Sequence, residues 1–262
     1  MQETYTLGYD RAAMAFVGRR RLDPNGAFFL PYLASGMHVL DCGCGPGTLT
    51  LDIAQRVRPG TVVGVDMSES QVELATRSAT ARGLANVEFR QGNAYALPFA
   101  DASFDAVFSH ALLEHLAEPA RAIAQFRRVL KPGGWLGVCT PDWGGFLYSP
   151  ATPELLSAVR HFEALQVRNG GDARIGHKLL GLLLDGGFEQ IKATARYENY
   201  EPLTVITDLV AWQLEANGLV EEARALREWG GQPAGMFAQA WVGCVGRRPP
   251  GEAAGRVPAG PE

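Results

Sequence analysis

The sequence predicts an α/β fold built on a seven-stranded, mostly parallel, doubly wound sheet with helical insertions. Three observations predict it. Short apolar or β-branched runs alternate with stretches of helical period over the first 140 residues, which implies parallel strands joined by right-handed crossovers. The first run passes directly into a glycine-rich turn that opens a helix. The chain has 262 residues, 47% hydrophobic and 20% charged, the balance of an ordinary globular protein large enough for one substantial core.

The elements follow in order. Residues Tyr5 to Leu33 carry apolar positions at helical spacing, broken at Pro24-Asn25-Gly26 into two short helices. Met37 to Asp41 reads as a strand, Gly43 to Gly47 as the turn and Thr48 to Val57 as a helix. Thr61 to Asp66 is a β-branched strand, and Ser68 is a candidate cap for a helix running to Ala81. Val87 to Arg90 and Phe104 to Phe108 are further strands, and Pro119 to Leu130 is a helix. Lys131-Pro132-Gly133-Gly134 turns the chain into the strand Trp135 to Thr140. Helices are then expected over Pro153 to Gln166 and His177 to Asp185, and a strand over Phe188 to Tyr197. An amphipathic helical region over Leu203 to Trp229 and a last strand over Met236 to Gly246 complete the fold. The stretch 247–262, rich in Pro, Gly and Ala, is expected to be disordered.

Composition narrows the function. A net charge of −4 and a single short basic cluster, Arg19-Arg20-Arg21, argue against a nucleic-acid partner. Neither a signal peptide nor an apolar run long enough to span a bilayer is evident. Cys42, Cys44, Cys139 and Cys244 lack a zinc spacing, so no metal site is expected. A reduced, cytoplasmic protein is the expectation.

The chemistry concentrates in Asp41-Cys42-Gly43-Cys44-Gly45-Pro46-Gly47-Thr48. Alternate glycines let the backbone approach a ligand closely and accept positive φ. A dinucleotide site would read G-x-G-x-x-G, but here Thr48 stands where the third glycine would fall. Asp41 would also repel a pyrophosphate, whereas it suits a ligand carrying an ammonium group. S-adenosylmethionine has an ammonium, a sulfonium and no phosphate, which decides against NAD.

The motif D-x-G-x-G-x-G after a strand resembles motif I of the class I, Rossmann-like S-adenosylmethionine-dependent methyltransferases. Val63 to Asp66, Gln91 to Ala94, Leu97 to Val107, Leu113 to Leu116 and Leu130 to Gly134 are similar to that family's later motifs in order and spacing. The likeness is nearest to the small-molecule branch typified by ubiquinone- and menaquinone-pathway enzymes. It implies a last strand running antiparallel and S-adenosyl-L-methionine as cofactor. It further implies that Asp66 accepts from the ribose hydroxyls and that Met67 packs on the adenine. Gly92, Asn93 and Ala94 would border the adenine, the Asn93 carbonyl accepting from its amino group. Asp41, Gly43, Gly45, Gly47 and Ser109 complete the expected cofactor set, with Tyr9 or Arg19/Arg20 meeting the methionine carboxylate.

His110 and His115 are the candidate catalytic bases. Methyl transfer depends first on alignment, and it needs a base only when the nucleophile must lose a proton. Segments 1–21 and 141–177 should lie at the cofactor edge, with His161, His177, Trp143, Phe146, Tyr148 and Trp212 capping the pocket. The expected organisation is one methyltransferase domain over 1–246. It comprises a helical cap (1–33), a cofactor-binding core (37–140) and helical lid insertions (141–187 and 203–230). The expected activity is methyl transfer to an O, N or C nucleophile of a small molecule, for instance in secondary metabolism, by a monomer or homodimer. A tRNA or protein methyltransferase, and a non-catalytic S-adenosylmethionine-binding protein, are the alternatives.

Overall fold

In a computed structural model, residues 3–9 and 11–251 are described. Strands β1 (His38–Cys42), β2 (Thr61–Asp66), β3 (Val87–Gln91), β4 (Phe104–His110) and β5 (Leu130–Pro141) are mutually parallel in the order 3-2-1-4-5. Beyond them lie β6 (Leu147–Ser149), β7 (Glu189–Asn199) and β8 (Met236–Arg247). β8 is antiparallel to β5 and β6 along one edge and to β7 along the other, because Ala238 pairs with both Leu147 and Asn199. The mostly parallel sheet with an antiparallel last strand is as expected, with eight strands rather than seven. The extra one, β6, is three residues long, too short to carry a period.

The β-strand alternation sorts side chains to two faces. Val39, Val62, Ala106 and Phe108 point to one side, against Phe29 and against Leu49 and Ile53 of α3 (Thr48–Arg56). Their neighbours Leu40, Val63 and Val107 point to the other, against Ile123 and Phe126 of α5 (Pro119–Val129) and Leu179 and Leu183 of α7 (Leu179–Asp185). The remaining core helix, α4 (Glu69–Ala81), begins after Ser68, as expected. The Ser68 hydroxyl, however, meets Ser70 Oγ at 2.9 Å instead of capping the helix.

A third core belongs to the inserted helices. It joins α6 (Pro153–Arg168), α8 (Thr204–Ala216) and α9 (Val220–Gly230) to α1 (Arg11–Val17) through Phe16, Phe162, Leu209, Leu214 and Trp229. The expected helical run 203–229 breaks at Gly218, whose φ of +80° no helix tolerates. The helix expected from His177 starts two residues later, after a 3-10 turn over Ile175–Lys178. Before the sheet, α2 (Leu22–Asn25) is a single turn. Of the tail expected to be disordered, Arg247 lies within β8 and Arg248 N donates to Gly134 O at 2.8 Å, while 252–262 fall outside the described residues. Among the described residues no helix is long and apolar enough to cross a membrane.

Candidate cofactor and substrate site

In an open α/β sheet, ligands bind beyond the C-terminal strand ends where the strand order reverses. Here that point lies between β1 and β4, and a cleft of about 1100 Å3 opens there. The turn after β1 forms one wall. Gly43, Gly45 and Gly47 all have positive φ (76°, 51° and 79°), which favours glycine at each. Gly43 N and Cys44 N donate to Val65 O at 2.8 and 3.0 Å, tying the turn to the end of β2.

Two carboxylates occupy the floor. Asp66 ends β2; its Oδ2 accepts from Gly45 N at 2.8 Å and its Oδ1 from Ser68 N at 3.0 Å. Each oxygen keeps a lone pair for a hydroxyl of the ligand. Asp41 in β1 is 2% exposed and accepts from Thr50 Oγ1 at 2.6 Å. Burial pushes its carboxyl up to about 7, against the Thr50 hydrogen bond, and raises Asp66 as well. Burial also drives the Cys42 and Cys44 thiols up, so neither is a thiolate at neutral pH. A cation entering this cleft would be attracted by both acids, and a pyrophosphate would be repelled.

The cleft gathers Tyr9, Asp41, Gly43, Gly45, Asp66, Met67, Gly92, Asn93, Ala94, His110 and His115. It does not include Gly47 or Ser109. A Cβ on Gly47 would lie 2.8 Å from both Ala75 Cβ and Phe89 Cζ, so this glycine serves the packing of α4 and β3 behind the turn. Ser109 is 1% exposed and falls on the opposite face of β4 from His110 by strand alternation. The Asn93 carbonyl already accepts from Tyr95 N at 2.8 Å, leaving one lone pair toward the cleft.

His110 is 4% exposed, stacks on Trp241 at 4.7 Å and has no hydrogen-bond partner on either ring nitrogen. Burial, with Arg20 and Arg196 nearby, holds it well below the usual histidine range. His115 is pushed down to about 3 by burial and Arg20. Both rings are therefore neutral at physiological pH, able to hydrogen-bond but weak as bases.

Within the N-terminal segment expected at the cofactor edge, Tyr5 lines the cleft beside Glu3 and Thr4, two residues that sequence reasoning did not single out. Glu3 Oε1 is fastened to Ala117 N at 2.7 Å and to the Tyr95 hydroxyl, while the Tyr5 ring meets His115 at 4.7 Å. Ala111, next to His110, adopts φ +56°, a strained conformation for a residue with a Cβ that no sequence signal announces. Of the arginine pair, Arg20 lines the cleft and Arg19 does not. The expected lid aromatics do not border it either. Trp143 and Phe146 pack in the third core, His177 Nδ1 pairs with Asp142 Oδ2 at 2.7 Å, and His161 Nδ1 meets Ser157 O at 2.9 Å. Tyr148 packs at the edge of that core, and Trp212 is 40% exposed.

The methyltransferase-domain family matches residues 33–201 of this chain. A demethylmenaquinone methyltransferase of Lactiplantibacillus plantarum is 43% identical over 110 residues, 41% of this chain and 46% of that protein. An O-methyltransferase of Aspergillus sclerotiorum is 33% identical over 185 residues, 70% of this chain and 66% of that protein. The solved structure of the [4+2]-cyclase SpnF superposes with a TM-score of 0.58 at 25% identity, covering 89% of this chain and 85% of that one. The chain spans about half the length of the first curated relatives it matches, between 44% and 50%.

Proposed function

The chain belongs to the class I S-adenosylmethionine-dependent methyltransferases, and from that premise we propose that it transfers a methyl group to a small molecule bound beneath its helical insertions. The observation that carries this reading is the pair of carboxylates, buried Asp41 and half-buried Asp66, lining one cleft near the ends of adjacent strands. Asp41 suits the ammonium of S-adenosylmethionine and Asp66 its ribose hydroxyls. Met67, Gly92, Asn93 and Ala94 border the space for the adenine, with Tyr9 across the opening.

The bound cofactor supplies a methyl carbon made electrophilic by sulfonium. The chain supplies alignment and exclusion of water, which account for much of the rate in such a displacement. The N-terminal segment, pinned at Glu3, closes over the reacting atoms. His110, with two unpartnered ring nitrogens, offers hydrogen bonds to a ligand. The acidic net charge of −4 supports a small acceptor over a nucleic acid. Four cysteines, all free and buried, suit a reducing cytoplasm and a monomer or homodimer without disulfide links. In this reading residues 1–246 act as one domain, cap and lid closing on the core.

A second reading is favoured by the cyclase likeness: the same fold serving a reaction in which no methyl group moves. Incubation with methyl-labelled S-adenosylmethionine and a panel of phenols, amines, thiols and enols separates the two. Label should appear in at least one acceptor. Cofactor binding with no label transferred to any acceptor would contradict methyl transfer.

A further inference from the structure

Beside the cleft lies a second, smaller cavity. Its walls are apolar, with Phe162 of α6 and Ile206, Leu209 and Val210 of α8 facing Trp143 and Phe16. Arg20 and His115 line both spaces, so the two meet at these residues.

The polar groups of this cavity divide into two sets. Thr6 Oγ1 accepts from Asn169 Nδ2 at 3.1 Å, Gln166 Nε2 donates to Glu114 O at 2.9 Å, and Gln239 Oε1 accepts from the Tyr200 hydroxyl. These are engaged elsewhere. Three groups at the junction keep free capacity. Glu114 is 2% exposed; its Oε2 accepts from Thr140 Oγ1 at 2.8 Å, and its Oε1 lies 3.6 Å from His115 Nε2. His115 Nδ1 is buried without a partner. The Arg20 guanidinium makes no hydrogen bond or ion pair among the described residues and rests over the Trp241 ring at 5.3 Å. A buried carboxylate and an unpaired guanidinium lining one cavity are costly unless a ligand or water engages them.

We propose that this cavity receives the methyl acceptor, that the acceptor is an apolar ring compound presenting a phenolic or enolic hydroxyl between Arg20 and Glu114, and that Glu114 takes its proton. The proposal rests on the methyl-transfer reading. Apolar walls select the ring. Arg20 stabilises the oxygen anion and repels a protonated amine, which would otherwise be drawn to Glu114. The acceptor O–H bond breaks and its proton passes to the Glu114 carboxylate. The oxygen bonds to the methyl carbon as the methyl–sulfur bond breaks, and sulfur keeps the bonding pair as S-adenosylhomocysteine forms. His115 and Thr140 position the carboxylate.

Burial raises the Glu114 carboxyl to about 7, so it is a competent base near neutrality, unlike His115. The rate should therefore rise with pH through that region as Glu114 loses its proton. Tyr5 and Arg20 face it from the N-terminal segment, His115 from its own turn, and Cys139 and Thr140 from β5. Asp172 reaches it only through its backbone N, its carboxylate being held by Lys178 and Arg174.

Calorimetry on protein saturated with S-adenosylhomocysteine tests the acceptor class, with 2-naphthol and 2-naphthylmethylamine as probes. 2-Naphthol should bind at least tenfold more tightly than the amine. Leu209→Trp and Ile206→Phe, which fill the cavity, should weaken 2-naphthol at least tenfold while S-adenosylhomocysteine affinity stays within twofold. With labelled methyl donor, Glu114→Gln should lower kcat on 2-naphthol at least a hundredfold, leave KM within threefold and remove the rise near pH 7. Absent 2-naphthol binding, preference for the amine, or indifference to cavity filling would overturn the acceptor assignment. Binding without turnover, or full turnover in Glu114→Gln, would overturn the base. A wild-type protein that does not bind S-adenosylhomocysteine strikes the cofactor reading instead, so the two failures are distinct.

Discussion

Asp41→Asn should stabilise the cofactor-free protein at pH 8 and weaken its hold on S-adenosylmethionine. Asp41 is fully enclosed, and burial raises its carboxyl from 3.8 to about 7. The folded protein thus holds this proton more tightly than the unfolded chain does. The stability it contributes is fully present below pH 3.8 and is lost as pH rises through about 7. At pH 8 the fold must carry a buried anion, at a cost of up to about 4 kcal/mol at 1.36 kcal/mol per pH unit. Asparagine keeps the shape and the acceptor for Thr50 without the charge. Urea denaturation at pH 5 and pH 8 should show the variant's advantage growing with pH, while its cofactor affinity falls at least about tenfold for want of a charged partner. A wild type as stable as the variant at pH 8 would mean that Asp41 is not a buried anion there.

Gly47→Val should cost the fold about 3–5 kcal/mol, lowering Tm by roughly 10 °C or more. A β-branched residue at φ +79° is strained, and its Cβ would press on Ala75 and Phe89 at 2.8 Å, where two backbone elements meet. Gly45 provides the contrast, since a Cβ there has only Val17 Cγ1 within reach, at 3.9 Å, and faces the cleft. Gly45→Ala should therefore lower Tm by only a few degrees, the strain of one left-handed residue being about 1 kcal/mol, yet weaken cofactor binding at least as much as Gly47→Ala does. Differential scanning calorimetry beside a cofactor titration checks both. Equal Tm losses at the two positions would show that the turn is strained as a unit.

The legible parts of the fold were those written in local period. β2 spans Thr61–Asp66, the residues its β-branched run marks, and α4 ends at Ala81 as its pattern indicates. β6 was hidden because it forms only where β8 extends past Pro141 and offers an unpaired edge, a tertiary circumstance. Within the site, the glycine turn and Asp66 were legible because chemistry and spacing coincide there. Gly47 and Ser109 were not separated from their neighbours, because which face a residue presents depends on packing behind the turn and on strand register. The junction of Arg20 with Glu114 joins positions far apart in sequence, and neither the basic cluster around Arg20 nor the stretch Leu113 to Leu116 shows that the two meet. Of the lid aromatics, Trp143 lines the second cavity, whereas Phe146 and Tyr148 pack with the third core, an outcome of tertiary packing that spacing does not reveal.

Isothermal calorimetry with S-adenosylhomocysteine and NAD, on wild type and Asp66→Ala, tests the central claim most directly. S-adenosylhomocysteine should bind wild type at micromolar affinity, about −8 kcal/mol, and NAD should give no heat of binding. Asp66→Ala should lose about 1.5–3 kcal/mol, the worth of hydrogen bonds to a charged acceptor, with its circular dichroism unchanged. Binding of NAD in preference to S-adenosylhomocysteine, or an affinity for the latter untouched in Asp66→Ala, would contradict the account.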